Sequence, residues 1–322
     1  MPRVLLTDYA WPDLDIERAI LHQAGAELVV VQQPDVQTLA RLAADCDAIM
    51  TNWAKVPEPV IAAATRCKII ARLGIGLDNI DVAAATRRGI VVTNVPDYCV
   101  TEVAEHALSL LLSLARKVAF YHHETKSGRY NLQAGPLLRR IEGQTLGIVG
   151  LGNIGRRLAE KVVALRMRVL ATGRNRKNHG ELPPGVTWCD FDQLLQRSDY
   201  VSLHVPLTPE TKHLIGAPQL ARFKPSAYLI NTSRGGLIDH ASLAAALQAG
   251  QLAGAALDVQ DPEPPDLSQP PYNDPRVIVT PHAAFVSVES LENLRSRTAR
   301  QVATCLQGGV PENVVNPSVL KK

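Results

Sequence analysis

The stretch that most limits what this chain can fold into is Gln144-Thr145-Leu146-Gly147-Ile148-Val149-Gly150-Leu151-Gly152-Asn153-Ile154-Gly155. A short apolar run, Leu146 to Val149, leads straight into three glycines spaced G-x-G-x-x-G. Behind them Leu158, Val162, Val163 and Leu165 recur at helical spacing, and Met167 to Leu170 reads as a second strand. Strand, tight turn, helix and strand in that order are the context a dinucleotide site requires. Gly150 would permit the turn, Gly152 would let backbone approach a pyrophosphate, and Gly155 would let the helix lie close on the sheet. The first helical turn, with Asn153 and Ile154 in it, would offer free N–H groups and a positive dipole end to the phosphates.

This turn comes late in the chain. Upstream, strand-like runs at 3–6, 27–31, 47–50 and 68–71 alternate with helical patterns at 14–23, 36–43 and 60–64. Such alternation means a mostly parallel sheet covered by helices, so a separate α/β domain precedes the nucleotide turn. A strand within Gly89–Tyr98 ends in a proline turn, and a long helix is predicted from about Thr101 to Lys117, with Thr101 as its cap. Ala104, Ala107, Leu108, Leu111, Leu112 and Leu114 make that helix apolar over most of its circumference, which predicts burial between domains or subunits. Residues 120–141 read as a polar, basic, exposed arm. Later strands are expected at 200–203, 227–231, 255–259 and 276–280, with helices at 191–196, 218–223 and 241–249. The second sheet is then full, so a last helix at about 288–306 and the 310–317 tail are expected to return to the first domain.

A length of 322 residues fits about two domains. Aromatic residues are 4% of the chain and the net charge is +3, which argues against a nucleic-acid surface. No apolar run approaches the ~18 residues of a membrane span. Asp8 arrives too early for the apolar core of a signal peptide. The five scattered cysteines make no C-x-x-C and no zinc spacing, so a reduced, cytoplasmic compartment is expected. His122-His123-Glu124 suggests a metal site, but adjacent residues do not share a helix face, and no metal is expected. Ser233 lacks the G-x-S-x-G frame of a serine hydrolase.

In an open parallel sheet, ligands bind at the carboxyl ends of the strands. That rule selects Thr232-Ser233-Arg234, Asp258 with Asp261-Pro262-Glu263, Pro281-His282-Ala283-Ala284, and His204-Val205-Pro206. An arginine, a carboxylate and a histidine thus fall at successive strand ends.

With these residues in place the chain resembles the D-isomer-specific 2-hydroxyacid dehydrogenase family. The resemblance is carried by Ala71 to Asp81, the glycine turn, Asn231 to Gly236, Asp261 to Pro264 and Pro281-His282, in that order over nearly the whole chain. Asn94 to Cys99 is similar to the branch that includes the C-terminal-binding transcriptional corepressors. The resemblance implies two Rossmann-like domains with parallel sheets. A dinucleotide-binding domain at 99–286 would be inserted into a smaller flavodoxin-like substrate domain at 1–98 and 287–322. His282 would be the general acid that protonates the carbonyl oxygen as hydride arrives, a role that suits histidine as a residue type. Glu263 would orient it, and Arg234 would clamp the substrate carboxylate with its planar fork. Backbone at Leu73, Gly74, Ile75 and Gly76 would receive the other carboxylate oxygen, and Trp53 would border the substrate. Asp258 would anchor the nicotinamide. His204, Val205, Pro206, Thr211, Thr232, Ser233, His282 and Ala284 would line the cofactor. The implied activity is reduction of a small 2-keto acid, such as glyoxylate or hydroxypyruvate, to its D-2-hydroxy acid. The apolar 101–117 helix and the arm after it predict a homodimer formed through the nucleotide-binding domains. The rival is a nucleotide-sensing, corepressor-like binding protein that keeps the fold without turnover. Pro264-Pro265-Asp266-Leu267-Ser268 even matches the short motif such corepressors recognise, but it follows directly from the Glu263 loop.

One departure bears on the cofactor. The acidic residue that holds the adenosine ribose in NAD enzymes is expected about 20 residues past the glycines. Gly173 stands there, followed by Arg174, Arg176 and Lys177. Losing the acid removes repulsion of a 2′-phosphate, and Arg174 with Arg176 supplies partners, so NADP(H) is expected to be preferred and NAD(H) possible.

Overall fold

The computed structural model describes residues 1–32, 34–174 and 181–321. The chain divides into two compact units, Met1–Tyr98 with Ser287–Lys322, and Cys99–Val286.

The first unit is built on a five-stranded parallel sheet of β1 (Arg3–Leu6), β2 (Glu27–Val30), β3 (Ala48–Thr51), β4 (Ile69–Arg72) and β5 (Val91–Thr93), in the order β2-β1-β3-β4-β5. Strands β3 and β4 are buried throughout, as continuous apolar runs in a two-faced parallel sheet should be. Helices Asp15–Gln23, Val36–Ala43, Glu58–Ala63, Val82–Arg87 and Val288–Leu306 cover the sheet. The last of these is joined to the first by Arg295, whose guanidinium lies 2.9 Å from the buried Glu17 carboxylate. The tail closes on β5: Asn316 accepts from the Val92 amide at 2.8 Å and donates to Ile90 and Thr86.

The second unit is a seven-stranded parallel sheet of β6 (Thr145–Val149), β7 (Arg168–Thr172), β8 (Val186–Trp188), β9 (Tyr200–Leu203), β10 (Tyr228–Asn231), β11 (Gly254–Leu257) and β12 (Val277–Val279), ordered β12-β11-β10-β9-β6-β7-β8. From β6 the chain builds outward to one side and then returns to build the other. The order therefore reverses between β6 and β9, and ligands of open α/β sheets bind at such a switch point.

Several local expectations change. Sequence patterning misses Val82–Arg87 and β8, because six- and three-residue elements give too few periods to register. The long helix runs Val100–Arg116 and starts at Cys99, so Thr101 lies inside the helix and is not its cap. Its apolar circumference is largely used within the unit, where Leu108 and Leu112 pack into the same cluster as Ala104, Leu111 and Leu114. Only Thr101, Glu105, Ser109 and Arg116 are exposed along it. The following arm contains a helix, Val118–Lys126, and it is not simply polar: Val118, Tyr130, Leu132 and Leu137 are exposed there. Glu124 pairs with Arg129 at 2.7 Å. Among the described residues no helix is long and apolar enough to cross a membrane.

Candidate active site

The glycine turn sits at the switch point with the geometry its spacing predicts. Gly150 has φ +98°, and a Cβ there would stand 2.6 Å from the His204 carbonyl oxygen. Gly155 has no room for a side chain because a Cβ would strike the Gly150 carbonyl. At Gly152 nothing among the described residues lies within 4 Å of a Cβ position, so that face of the turn is open to them. Gly152 begins the 12-residue helix Asn153–Ala164, and no side chain caps its first turn. At the strand ends, the buried Thr232 hydroxyl and the His204 Nδ1 have no partner among the described residues. An open cradle, an uncapped helix start and two orphaned polar atoms fit a dinucleotide. Burial pushes the His204 imidazole down to about 4. The residue as a whole is only partly buried, but Nδ1 is sealed from solvent and Nε2 is 2.8 Å from the Ser202 hydroxyl. Thr211 spends its hydroxyl on its own loop, donating to Pro206 O at 2.7 Å.

At the other end of the same edge, His282 Nδ1 is 2.9 Å from Glu263 Oε2. His282 has φ +53°, a left-handed conformation that a non-glycine residue adopts only when its surroundings impose it. Here Asp258 imposes it. The Asp258 backbone carbonyl accepts from the His282 amide at 2.7 Å. Its fully buried carboxylate accepts from the Thr280 hydroxyl and from the Ala283 and Ala284 amides at 2.5, 2.9 and 3.0 Å. His106 approaches from the Val100–Arg116 helix, with Nε2 3.3 Å from Asp258 Oδ1. Burial alone would raise this carboxyl, but the bonds from His106, Thr280 and the two amides outweigh it and hold it below the ordinary carboxylate range. Asp258 thus locks the turn that carries His282, a task its position in the sequence does not announce.

Glu263 is fixed in turn by the Gln260 amide, which donates to Oε1 at 2.8 Å. Gln260 is buried, and its side-chain amide bridges the Leu257 and Thr280 carbonyls at 3.0 and 3.1 Å, tying the ends of β11 and β12 together. The Arg234 loop abuts this frame: Gly235 has no space for a Cβ because the Gln260 backbone fills it. Asn231 closes that loop by donating to the Arg234 carbonyl at 2.8 Å, and Ser233 Oγ donates to Leu203 O at 2.8 Å. His282, Glu263, Arg234 and Asp258 are therefore brought together on one sheet edge. Sequence patterning does not single out Gln260, Thr280 or His106. The one hint is a polar residue, Gln260, directly after the buried run that ends at Val259.

The second unit matches the family described as D-isomer specific 2-hydroxyacid dehydrogenase, NAD binding domain, over residues 108–284. The chain belongs to the D-isomer specific 2-hydroxyacid dehydrogenase family. It is an NAD(P)-dependent oxidoreductase of that class. A glyoxylate reductase of Aeropyrum pernix is 38% identical to it, over 99% of this chain and 97% of that protein. Among solved structures, the D-lactate dehydrogenase of Aquifex aeolicus complexed with NAD and lactic acid matches with a TM-score of 0.86 and 29% identity. That match covers 97% of this chain and 99% of that one. An acyclic imino acid reductase in complex with NADPH and D-Arg also gives a TM-score of 0.86, at 26% identity, covering 98% of this chain and 100% of that one.

In the first unit, Trp53 and the Leu73–Gly76 loop follow the ends of β3 and β4. Asp8, buried after β1, accepts from the Asn52, Trp53 and Ala54 amides at 3.0, 2.7 and 3.2 Å and so sets the Trp53 backbone. Gly74 has φ +155°, and its bare Cα faces the Arg72 guanidinium, 2.8 Å from where a Cβ would stand. The Gly74 and Ile75 carbonyls are taken up by the Val95 amide and the Asn94 side chain. Arg174 closes the described part of its loop, and Arg176 lies outside the described residues.

Proposed function

We propose that the chain reduces a small 2-keto acid, glyoxylate and hydroxypyruvate among the candidates, to the D-2-hydroxy acid, with NADPH preferred over NADH. The observation that carries this reading is the His282–Glu263 contact on a turn locked by Asp258. The glyoxylate reductase relative supports the substrate class, and the NADPH-bound reductase with the same fold supports the cofactor.

When bound, the nicotinamide supplies a hydride to the carbonyl carbon. The chain's own groups handle the charge and the proton. Glu263 holds Nδ1 of His282, so the other ring nitrogen carries the proton that the developing alkoxide takes. Glu263 also stabilises the imidazolium before transfer. Arg234 meets the substrate carboxylate with two parallel N–H donors and polarises the carbonyl beside it. In the first unit, the amides of the Leu73–Gly76 loop receive a carboxylate oxygen and Trp53 borders the substrate. In the second, the glycine turn takes the pyrophosphate, Thr232 and His204 contribute polar contacts, and Arg174 meets the 2′-phosphate. We read the exposed Val118, Tyr130, Leu132 and Leu137 of the 118–137 arm as a contact with a second copy of the chain, since a second copy would take this many large apolar side chains in one segment out of water.

The test is NADPH consumption across a panel of 2-keto acids, repeated with NADH. Turnover with at least one small 2-keto acid and a lower KM for NADPH supports the reading. Tight cofactor binding without turnover on any member would favour the nucleotide-sensing alternative.

A further inference from the structure

Gly173 leaves the end of β7 without the carboxylate that would hold an adenosine ribose, but the fold brings one to that corner from another strand. β6 lies between β7 and β9, so the loops leaving β7 and β9 flank the glycine turn on its two sides. Both flanks are tied to the turn. Gly150 N donates to Thr172 O at 2.9 Å, and the His204 carbonyl packs against the bare Gly150 Cα. Beside the turn, the Arg174 guanidinium lies 3.7 Å from Glu210 Oε2. Glu210 is held in place: the Thr208 hydroxyl donates to its carboxylate at 2.7 Å, and the Thr211 hydroxyl pins the same loop by accepting from Thr208 N at 2.8 Å. The Thr208 bond keeps its carboxyl below the ordinary range, with a smaller contribution from Arg174, so it is charged at neutral pH. Both side chains face solvent, 77% and 69% exposed, and an ion pair of that kind is weak and exchangeable.

We propose that Glu210 is a second cofactor-specificity residue, standing in for the acid missing at Gly173. The inference rests on the reading that Arg174 meets the 2′-phosphate. Toward NAD(H), the Glu210 carboxylate accepts from a ribose hydroxyl. Toward NADP(H), it competes with the phosphate for Arg174 and repels the phosphate charge. The chain then accepts both cofactors, and its margin for NADPH is smaller than Arg174 alone would give.

Glu210→Gln tests this, because it keeps the shape, loses the charge and lies on the surface, where folding tolerates the change. Dissociation constants for NADPH and NADH are measured by nicotinamide fluorescence. The fragments 2′,5′-ADP and 5′-AMP are measured by calorimetry, so the result does not depend on turnover. We expect the NADPH-to-NADH affinity ratio to rise about three- to fivefold, with the fragment pair moving the same way. A ratio unchanged within about twofold, or moved toward NADH, overturns the inference. Arg174→Ala, measured in parallel, judges the underlying reading separately. If it leaves NADPH affinity intact while Glu210→Gln has moved the ratio, Glu210 discriminates by repulsion and only the Arg174 reading falls. If it weakens NADPH while Glu210→Gln does nothing, the Glu210 inference alone falls.

Discussion

Two pairs of a carboxylate with a basic side chain stand on the same carboxyl edge of the seven-stranded sheet, and they are built differently. His282 and Glu263 are 2.9 Å apart with side chains 24% and 33% exposed, whereas Arg174 and Glu210 are 3.7 Å apart and mostly in solvent. The first pair hangs on a buried frame: the Asp258 carboxylate accepts from the His282 turn, and the Gln260 amide donates to Glu263. The second pair hangs on one threonine hydroxyl. A proton donor must be aimed before the reaction begins, so its partner is fixed and half-buried. A charge that sorts two cofactors must be able to leave its partner, so it is exposed and loosely held. In the proposed reading, the difference separates residues that would set rate from residues that would set which cofactor is used.

The comparison breaks most visibly at Arg234. Replacing it with Ala removes two charge-assisted bonds to the substrate, each worth about 1.5–3 kcal/mol, so kcat/KM should fall by about 10²–10⁴-fold. Steady-state kinetics should show the loss in both kcat and KM, and a loss confined to KM would reduce Arg234 to a binding group. Asp258→Ala should come next. It leaves the Ala283 and Ala284 amides buried without an acceptor, costing about 2–5 kcal/mol of stability along with the aimed His282 turn. Urea unfolding measures this, and a variant as stable as the parent would show that the frame is not held by Asp258.

His204 offers a pH test of the edge. Its folded pKa, about 4, lies below the ordinary 6.5 because of burial, so the unfolded chain binds a proton that the folded one refuses. The associated stability is complete above about pH 6.5 and is lost as pH falls toward 4, to a total on the order of 3 kcal/mol. His204→Gln should flatten that part of the stability profile, and parallel profiles would show that the ring is not sealed. The smallest effect is expected at Arg174, in the exposed pair. Arg174→Ala should weaken NADPH by about tenfold and leave NADH within about twofold, by fluorescence titration at fixed ionic strength. Equal losses for both cofactors would make Arg174 a general surface cation.

How far the sequence reaches follows the same division. The parallel sheets, the glycine turn and the strand ends at Arg234, Glu263 and His282 are legible, because apolar runs, glycine spacing and strand-end chemistry are local properties. The supports are not. Asp258 reads as a cofactor ligand until the fold shows its carboxylate enclosed by Thr280, Ala283 and Ala284, partners up to 26 residues away. Nothing in the sequence singles out Glu210, which the loops flanking β6 set beside Arg174. The long helix at Val100–Arg116 shows the reverse error. Its apolar circumference suggests burial between domains or subunits, yet its own unit covers most of it, and exposed apolar residues lie in the arm that follows.

In the proposed reading His282, aimed by Glu263 and Asp258, delivers the proton while the cofactor is held elsewhere. The direct measurement is a single-turnover experiment with His282→Ala, following NADPH oxidation by absorbance after mixing with a 2-keto acid that the parent turns over. NADPH affinity is determined on the same sample. The account predicts a rate constant lower by about 10²–10⁴-fold with NADPH affinity unchanged within about twofold. A rate constant equal to the parent's would contradict it and move the proton donor to another residue.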